Sequence, residues 1–245
     1  MENIHTDYYD ITSYHADFTQ QLTPVSLFCF LQESAWRHAN SRGFGWTHLA
    51  ERNEFWVLAK MHVIIDRMPD WTEKVRSETW GKTPELLTAF RDFELFDKND
   101  QPIIRAASSW HILNKQTHKP TVLSHFVDNF PIVNRHAIAE KPRKIQIPPS
   151  DCIKSAVYAI SSSDIDMNQH VNNTRYVQWA MDCIPFEYQM QYVIHEINVN
   201  FLSEARFGEN YFIESYQNGQ QFIHLIVSER ENRKLAAVQS VWKCR

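Results

Sequence analysis

The apolar and polar residues of this chain run through the same order of elements twice, which leaves few folds open. In each half, one helical stretch is followed by four strand-like segments. In the first half the helix is predicted from Pro24, a residue suited to a first turn, to about Ser41, just before Gly43. Its apolar residues (Val25, Leu27, Phe28, Phe30, Leu31, Ala35, Trp36, Ala39) surround most of the cylinder, which predicts a buried helix. An extended segment at about 8–19 precedes it. Strands are expected at about 55–65, 73–80, 87–97 and 102–113, the last two joined by Lys98-Asn99-Asp100-Gln101. In the second half a short extended segment at about 155–161 leads to a helix from about 173 to 183. Tyr176, Val177, Ala180, Cys183 and Ile184 form its apolar face. Strands then read at about 192–202, 210–217, 221–229 and 234–243, and Asn218-Gly219 is the strongest hairpin signal in the chain.

The halves also align residue for residue. At an offset of 136, Val63, Glu73 and Glu78 match Val199, Glu209 and Glu214, while Trp71, Thr79 and Trp80 face Phe207, Ser215 and Tyr216. Alternation such as Val75, Ser77, Thr79 against Arg76 and Glu78 suits a sheet with one buried face. An antiparallel sheet wrapped around one buried helix, made twice, is the hot-dog architecture in tandem. The expected class is therefore α+β, a double hot dog with the two helix-bearing sheets side by side. Between the halves, about 115–150 is rich in Pro, Lys and Arg (Pro120, Pro131, Pro142, Pro148, Pro149) and reads as a connector. The boundaries expected are 1–135 for the first domain, 136–150 for the linker and 151–245 for the second domain.

Composition removes several functions. With only 5 glycines in 245 residues, and no GxGxxG or Walker-type run, phosphate-cradling loops are not expected. A net charge of −4 gives no general pull toward nucleic acid or an anionic membrane. Cys29, Cys152, Cys183 and Cys244 form no CxxC pair, so reduced thiols are expected rather than a zinc site or a disulfide framework. The first residues lack a basic, then apolar, leader, and no apolar run reaches the ~20 residues that span a bilayer. A cytoplasmic protein with no cofactor, no nucleic-acid partner and no membrane span is expected.

The chemistry is concentrated in Asp164-Ile165-Asp166-Met167-Asn168-Gln169-His170-Val171-Asn172-Asn173. A carboxylate, a carboxamide and an imidazole fall within five residues, directly before a helix. Hydrolysis needs a group that activates water and donors for an oxyanion, and a helix start supplies N–H groups and a positive dipole end. The alternative is a purely structural Asn/Asp-rich turn, with Asn172 or Asn173 as helix cap. His62, His111 and His195 sit within strand patterns and read as structural. Cys183 reads as a small core residue. Asp166 and His170 lack a third dedicated ligand for a metal.

That run, with Tyr176 following on the helix, resembles the signature of the acyl-acyl-carrier-protein thioesterases, which release free fatty acid from acyl carrier protein. The tandem hot dog extends the resemblance over essentially the whole chain. It implies functional roles for Asp166, Asn168 and His170. It also implies one for Glu204, in the segment Phe201-Leu202-Ser203-Glu204-Ala205 that stands where plant members carry Arg-Arg-Glu-Cys. Ala205 replaces the cysteine once taken as the nucleophile, so direct attack by water is expected instead of a thiolate route. The missing plant transit peptide points to a bacterial member. In that reading His170 and Glu204 bind and activate water, with Glu204 favoured as the base. Asn168 positions the water or polarises the thioester carbonyl. Asp166 orients His170 or Asn168, or serves as a second carboxylate. Backbone N–H groups of Val171, Asn172 and Asn173 are the expected oxyanion donors.

The acyl chain is expected to enter the first half, along the helix at 24–41 and the strand at 55–65, near Ala35 and Ala59. The expected partner is acyl carrier protein, an acidic protein that Lys141, Arg143, Lys144 and Arg175 would attract. An acyl-CoA thioesterase of the same fold is the alternative enzyme. A non-catalytic acyl-thioester-binding regulator is the alternative from another class, and the chain has no residues to spare for its effector module. Chain-length preference and oligomeric state, a homodimer being one option, are left open.

Overall fold

The computed structural model describes residues 3–123 and 132–245; Met1, Glu2 and the connector residue Pro131 lie outside the described residues. The chain divides into two compact units, Met1–Pro142 and Arg143–Arg245.

The first unit comprises β1 (Ile4–Asp10), α1 (Pro24–Ser41), α2 (Trp46–Ala50), β2 (Glu54–Ile65), β3 (Lys74–Glu85), β4 (Thr88–Phe96) and β5 (Pro102–Asn114). Its strands pair antiparallel in the order β1-β3-β4-β5-β2. The second unit comprises β6 (Ile153–Lys154), β7 (Tyr158–Ala159), a 3-10 turn (Ser162–Asp164), α3 (Asn173–Asp182), α4 (Phe186–Gln191), β8 (Tyr192–Phe201), β9 (Asn210–Asn218), β10 (Gln221–Ser228) and β11 (Lys234–Cys244). Here β6 and β7 both pair with β9, and the order continues β9-β10-β11-β8. The two orders are equivalent, element for element. The repeat seen in the sequence is thus a repeat of strand pairing, and the fold is α+β, a double hot dog.

Local physics explains the helix starts. Thr23 caps α1, its hydroxyl accepting the Ser26 N–H at 3.0 Å, and Pro24 follows at the first helical position, where no N–H is needed. Two expectations need correction. The extended segment at 8–19 is strand only as far as Asp10, because the chain then turns through hydrogen bonds closed around Asp17. Helix α1 is also not buried all round. Leu27, Phe28, Leu31, Ser34, Ala35 and His38 form its buried face, whereas Cys29 and Trp36 are exposed. A helix laid against one sheet face can bury only one stripe.

The sheets are covered on their outer faces as well, so the expectation of one-faced burial fails at β4 and β10. Successive strand residues point to opposite faces. Thr79 points toward α1, through Arg91 and His38, while Trp80 and Asp92 meet the chain that follows β5. Trp80 donates to Arg135 O at 2.9 Å, and Asp92 accepts the Ala137 N–H at 2.9 Å. In the second unit Asn200 clasps the same strap, accepting from Ile145 N at 2.8 Å and donating to Arg143 O at 3.0 Å. Ile145 and Ile147 then pack with Ile223, Leu225, Val227 and Ala237. Residues 135–137 and 143–147 of the expected connector thus lie against the sheets, and β10 reads as a continuous apolar run because it is buried on both faces.

Two core histidines are expected to make the fold acid-sensitive. His38 accepts a hydrogen bond at Nδ1 from Arg91 at 2.9 Å, so its ring is neutral, and burial pushes its pKa down to about 3. Burial likewise pushes His224, hydrogen-bonded to Ser215, down to about 4. Below about 6.5 the unfolded chain binds protons that these rings refuse. Stability should hold above that value and fall as the pH drops from about 6.5 toward 4. Denaturant midpoints measured across this window should show that acid slope, and His224→Gln should flatten part of it. Midpoints independent of pH would contradict neutral burial.

Candidate active site

The run from Asp164 to Asn173 forms a tight turn between the 3-10 turn and α3. Asp166 Oδ1 accepts the Asn168 N–H at 2.8 Å, Gln169 takes a left-handed φ of +65°, and the Asp166 N–H reaches back to His170 O at 2.8 Å. Asn172 is the helix cap, its side chain accepting the Thr174 N–H at 3.0 Å, and Asn173 is the first helical residue. Arg175 folds back on the turn's entry, donating to Ser163 O at 2.9 Å and lying 3.5 Å from Asp164. It therefore braces the entry to the turn.

One long-range hydrogen bond completes the arrangement. The Val171 N–H donates to Ala205 O at 2.9 Å, which draws the segment after β8 against the turn. Glu204 is thereby set beside His170, with Oε2 3.1 Å from Nε2. Glu204 lies past the end of β8, which stops at Phe201, and so belongs to a loop and not to the strand. The side chains of His170 and Glu204 keep 19% and 33% exposure, enough for a substrate to reach them while much of their hydration is excluded. An imidazole and a carboxylate at this distance can share a proton and hold a water between them and an electrophile.

Two of the three expected oxyanion donors, Val171 and Asn172, are already paired. The Val171 N–H is committed to Ala205 O, and the Asn172 N–H donates to Asp164 O at 2.8 Å. A donor already paired at full strength is not offered to a developing oxyanion. The His170 N–H, by contrast, donates to no backbone carbonyl among the described residues. A further residue had no signal in the sequence. Arg233, just before β11, donates to Glu204 O and pairs with Glu209 at 3.1 Å, holding the Glu204 loop in place.

No thiol stands at position 205 beside Glu204, where the residue is a fully buried alanine. Cys183 donates to Trp179 O within its helix, and burial pushes its thiol pKa up, the wrong direction for a nucleophile. His111 bonds Leu87 O at 2.8 Å, consistent with a structural role. Among the described residues, no group of three or more His, Cys, Asp or Glu is placed to hold a metal ion, and no helix is long and apolar enough to cross a membrane. Ala35 is buried on α1, and Ala59 is half-buried at a bulge where the register of β2 with β5 shifts between Leu58 and Lys60. Lys141 is paired with Glu85, whereas Arg143 and Lys144 are exposed.

Residues 2–130 match the family model described as the acyl-ACP thioesterase N-terminal domain, and residues 150–244 match that of the C-terminal domain. A chloroplastic acyl-[acyl-carrier-protein] hydrolase of Cuphea viscosissima is 28% identical over 242 residues, 89% of this chain and 58% of that protein. The chain spans somewhat over half the length of such curated relatives. The crystal structure of an acyl-ACP thioesterase from Bacteroides thetaiotaomicron superposes with a TM-score of 0.91 at 27% identity, covering 98% of each chain. A 12:0-ACP thioesterase from Umbellularia californica has the same fold, with a TM-score of 0.88 at 21% identity over 100% of this chain and 99% of that one.

Proposed function

The chain belongs to the acyl-ACP thioesterase family, and from that premise we propose that it hydrolyses fatty acyl-ACP thioesters to free fatty acid and acyl carrier protein. The observation that carries this reading is the His170–Glu204 contact of 3.1 Å at the start of α3, in a chain whose two halves match the family's two domains. Glu204 takes a proton from the water as its oxygen attacks the thioester carbonyl carbon. The C–O bond forms, the carbonyl becomes an oxyanion, and the Asn168 carboxamide with the His170 N–H stabilises that charge. Collapse of the intermediate breaks the C–S bond, and the proton held between Glu204 and His170 passes to the leaving thiolate. Side-by-side assays of acyl-ACP and acyl-CoA substrates of several chain lengths, read by thiol release, test the reading. Turnover of acyl-CoA alone would replace it with the CoA-dependent alternative.

Exposed Arg143 and Lys144 suit an acidic carrier. Reversing both to Glu should raise KM for acyl-ACP several-fold and leave acyl-CoA kinetics unchanged. An equal change for both carriers would remove these residues from docking.

The first unit is assigned to the acyl chain and the second to chemistry. Ala35→Phe or Ala59→Trp should then shorten the preferred chain while short substrates are still cleaved, since each methylene excluded from burial is worth about 0.8 kcal/mol. A profile that shifts only with substitutions in the second unit would refute the assignment.

A further inference from the structure

One buried charge in the first unit is left without a counter-ion among the described residues. Arg91 lies on β4, 6% exposed, with its side chain turned toward α1. Its Nη1 donates to His38 Nδ1 at 2.9 Å and to Thr79 Oγ1 at 3.1 Å, while Nε and Nη2 donate to nothing among the described residues. The carboxylates are engaged elsewhere. Asp92 points to the opposite sheet face and pairs with Lys82 at 3.2 Å, and Asp7 is held by Arg37 at 3.0 Å and His5 at 3.2 Å. Burial alone pushes the Arg91 pKa down to about 10, so the guanidinium stays charged at neutral pH. His38 adds a second idle donor. Its Nδ1 accepts from Arg91, so the ring proton sits on Nε2, which is buried with no partner among the described residues.

The second unit builds the same place without a cation. By strand register, Thr79 stands opposite Phe93 and Gly81 opposite Arg91, as Ser215 stands opposite His224 and Gln217 opposite Phe222. The equivalent of Arg91 is thus Phe222, buried to a similar degree at 5%. A phenyl ring fills that position with no electrostatic cost, whereas an uncompensated buried cation is expensive. The register partners of Arg91 on β3 and β5 are Gly81 and Ser108, which put no bulky side chain beside the guanidinium. His38 and Ala35 share the buried face of α1, one turn apart, along the route assigned to the acyl chain.

We propose that Arg91 is a specificity-determining residue whose Nε and Nη2 receive an oxygen function carried by the acyl chain far from the thioester, a terminal carboxylate in preference to a hydroxyl. This deepens the thioesterase reading and rests on it for the kinetic test. The guanidinium fork matches a carboxylate with two parallel N–H···O bonds and opposite charge. A plain alkyl end leaves the fork unpaired, and a site built around a buried hydrogen-bonding group discriminates against the analogue that lacks the matching atom.

The test is kcat/KM for acyl-ACP substrates of several lengths, each with a terminal methyl, hydroxyl or carboxyl group. At the length that reaches Arg91, wild type should favour carboxyl over methyl by about tenfold or more, with hydroxyl between them. Arg91→Met should erase that preference, the carboxyl arm falling about tenfold relative to the methyl arm. A wild type that favours methyl at every length would overturn the proposal. So would an Arg91→Met enzyme in which all three arms fall together, since a structural role predicts that result. Arg91→Lys keeps the charge without the fork and covers the case of an Arg91→Met chain that does not fold; it should lose most of the carboxyl preference, and full retention would overturn the proposal. Should wild type hydrolyse no thioester, the thioesterase reading falls and binding still decides the point. Calorimetric titration with decanedioate should show binding to wild type that weakens about tenfold in Arg91→Lys. Equal affinities, or no binding to wild type, would overturn the assignment of Arg91.

Discussion

His170→Ala and Glu204→Ala are each expected to lower kcat by on the order of 10²-fold or more, the cost of losing a proton-transfer group. The expectation comes from the 3.1 Å contact between Nε2 and Oε2, which makes the pair one proton-handling unit. Groups that act as a unit are not additive, so the double variant should be little worse than the worse single one. Both single variants should fold, because neither side chain belongs to the buried core. Denaturant midpoints near wild type would establish that point. Turnover near wild type in a folded His170→Ala or Glu204→Ala enzyme would remove that residue from the mechanism. Independent, multiplying losses in the double variant would show that the two groups act in separate steps.

Trp80→Ala is expected to have the largest effect on stability, about 3–5 kcal/mol, in the range of large aromatic truncations in cores. Trp80 is fully buried under the strap, donates to Arg135 O at 2.9 Å, and carries the Arg135 guanidinium 4.5 Å above its ring. Against a typical total of about 5–15 kcal/mol, such a loss approaches unfolding of the first unit. Trp80→Phe keeps most of the ring but leaves the Arg135 carbonyl unpaired, and should cost about 1–3 kcal/mol. Equilibrium unfolding in denaturant measures both. A Trp80→Ala cost below about 1 kcal/mol would mean that the strap is not held by this residue.

What the sequence alone determined was local. Periodicity located α1 from Pro24 to Ser41 and every long strand to within a few residues, because a 3.6-residue stripe and a two-residue alternation are written into neighbouring positions. The Asp166–His170 run was legible for the same reason: its turn closes on itself within a few residues. The repeat was visible at an offset of 136 between strands, and the structure supports it with a left-handed backbone at both Thr72 (φ +75°) and Gly208 (φ +86°).

The tertiary structure decided what depends on distant partners. The offset changes to 149 at the turns, where the bond from Thr23 N to His15 O repeats as that from Asn172 N to Asp164 O, because the two helices start at different distances from their strands. Glu204 was reached from the sequence only through family resemblance. Its placement depends on the bond from Val171 to Ala205, which no local pattern encodes. The same bond, with that from Asn172 to Asp164, uses up two N–H groups that the sequence leaves available to an oxyanion. Burial on the outer faces of β4 and β10 likewise depends on where the strap lies, and its weak periodicity hides the Asp92 and Asn200 contacts that hold it. Propensity and patterning act between neighbours in the chain, whereas a hydrogen bond between residues 34 apart exists only once the fold has brought them together.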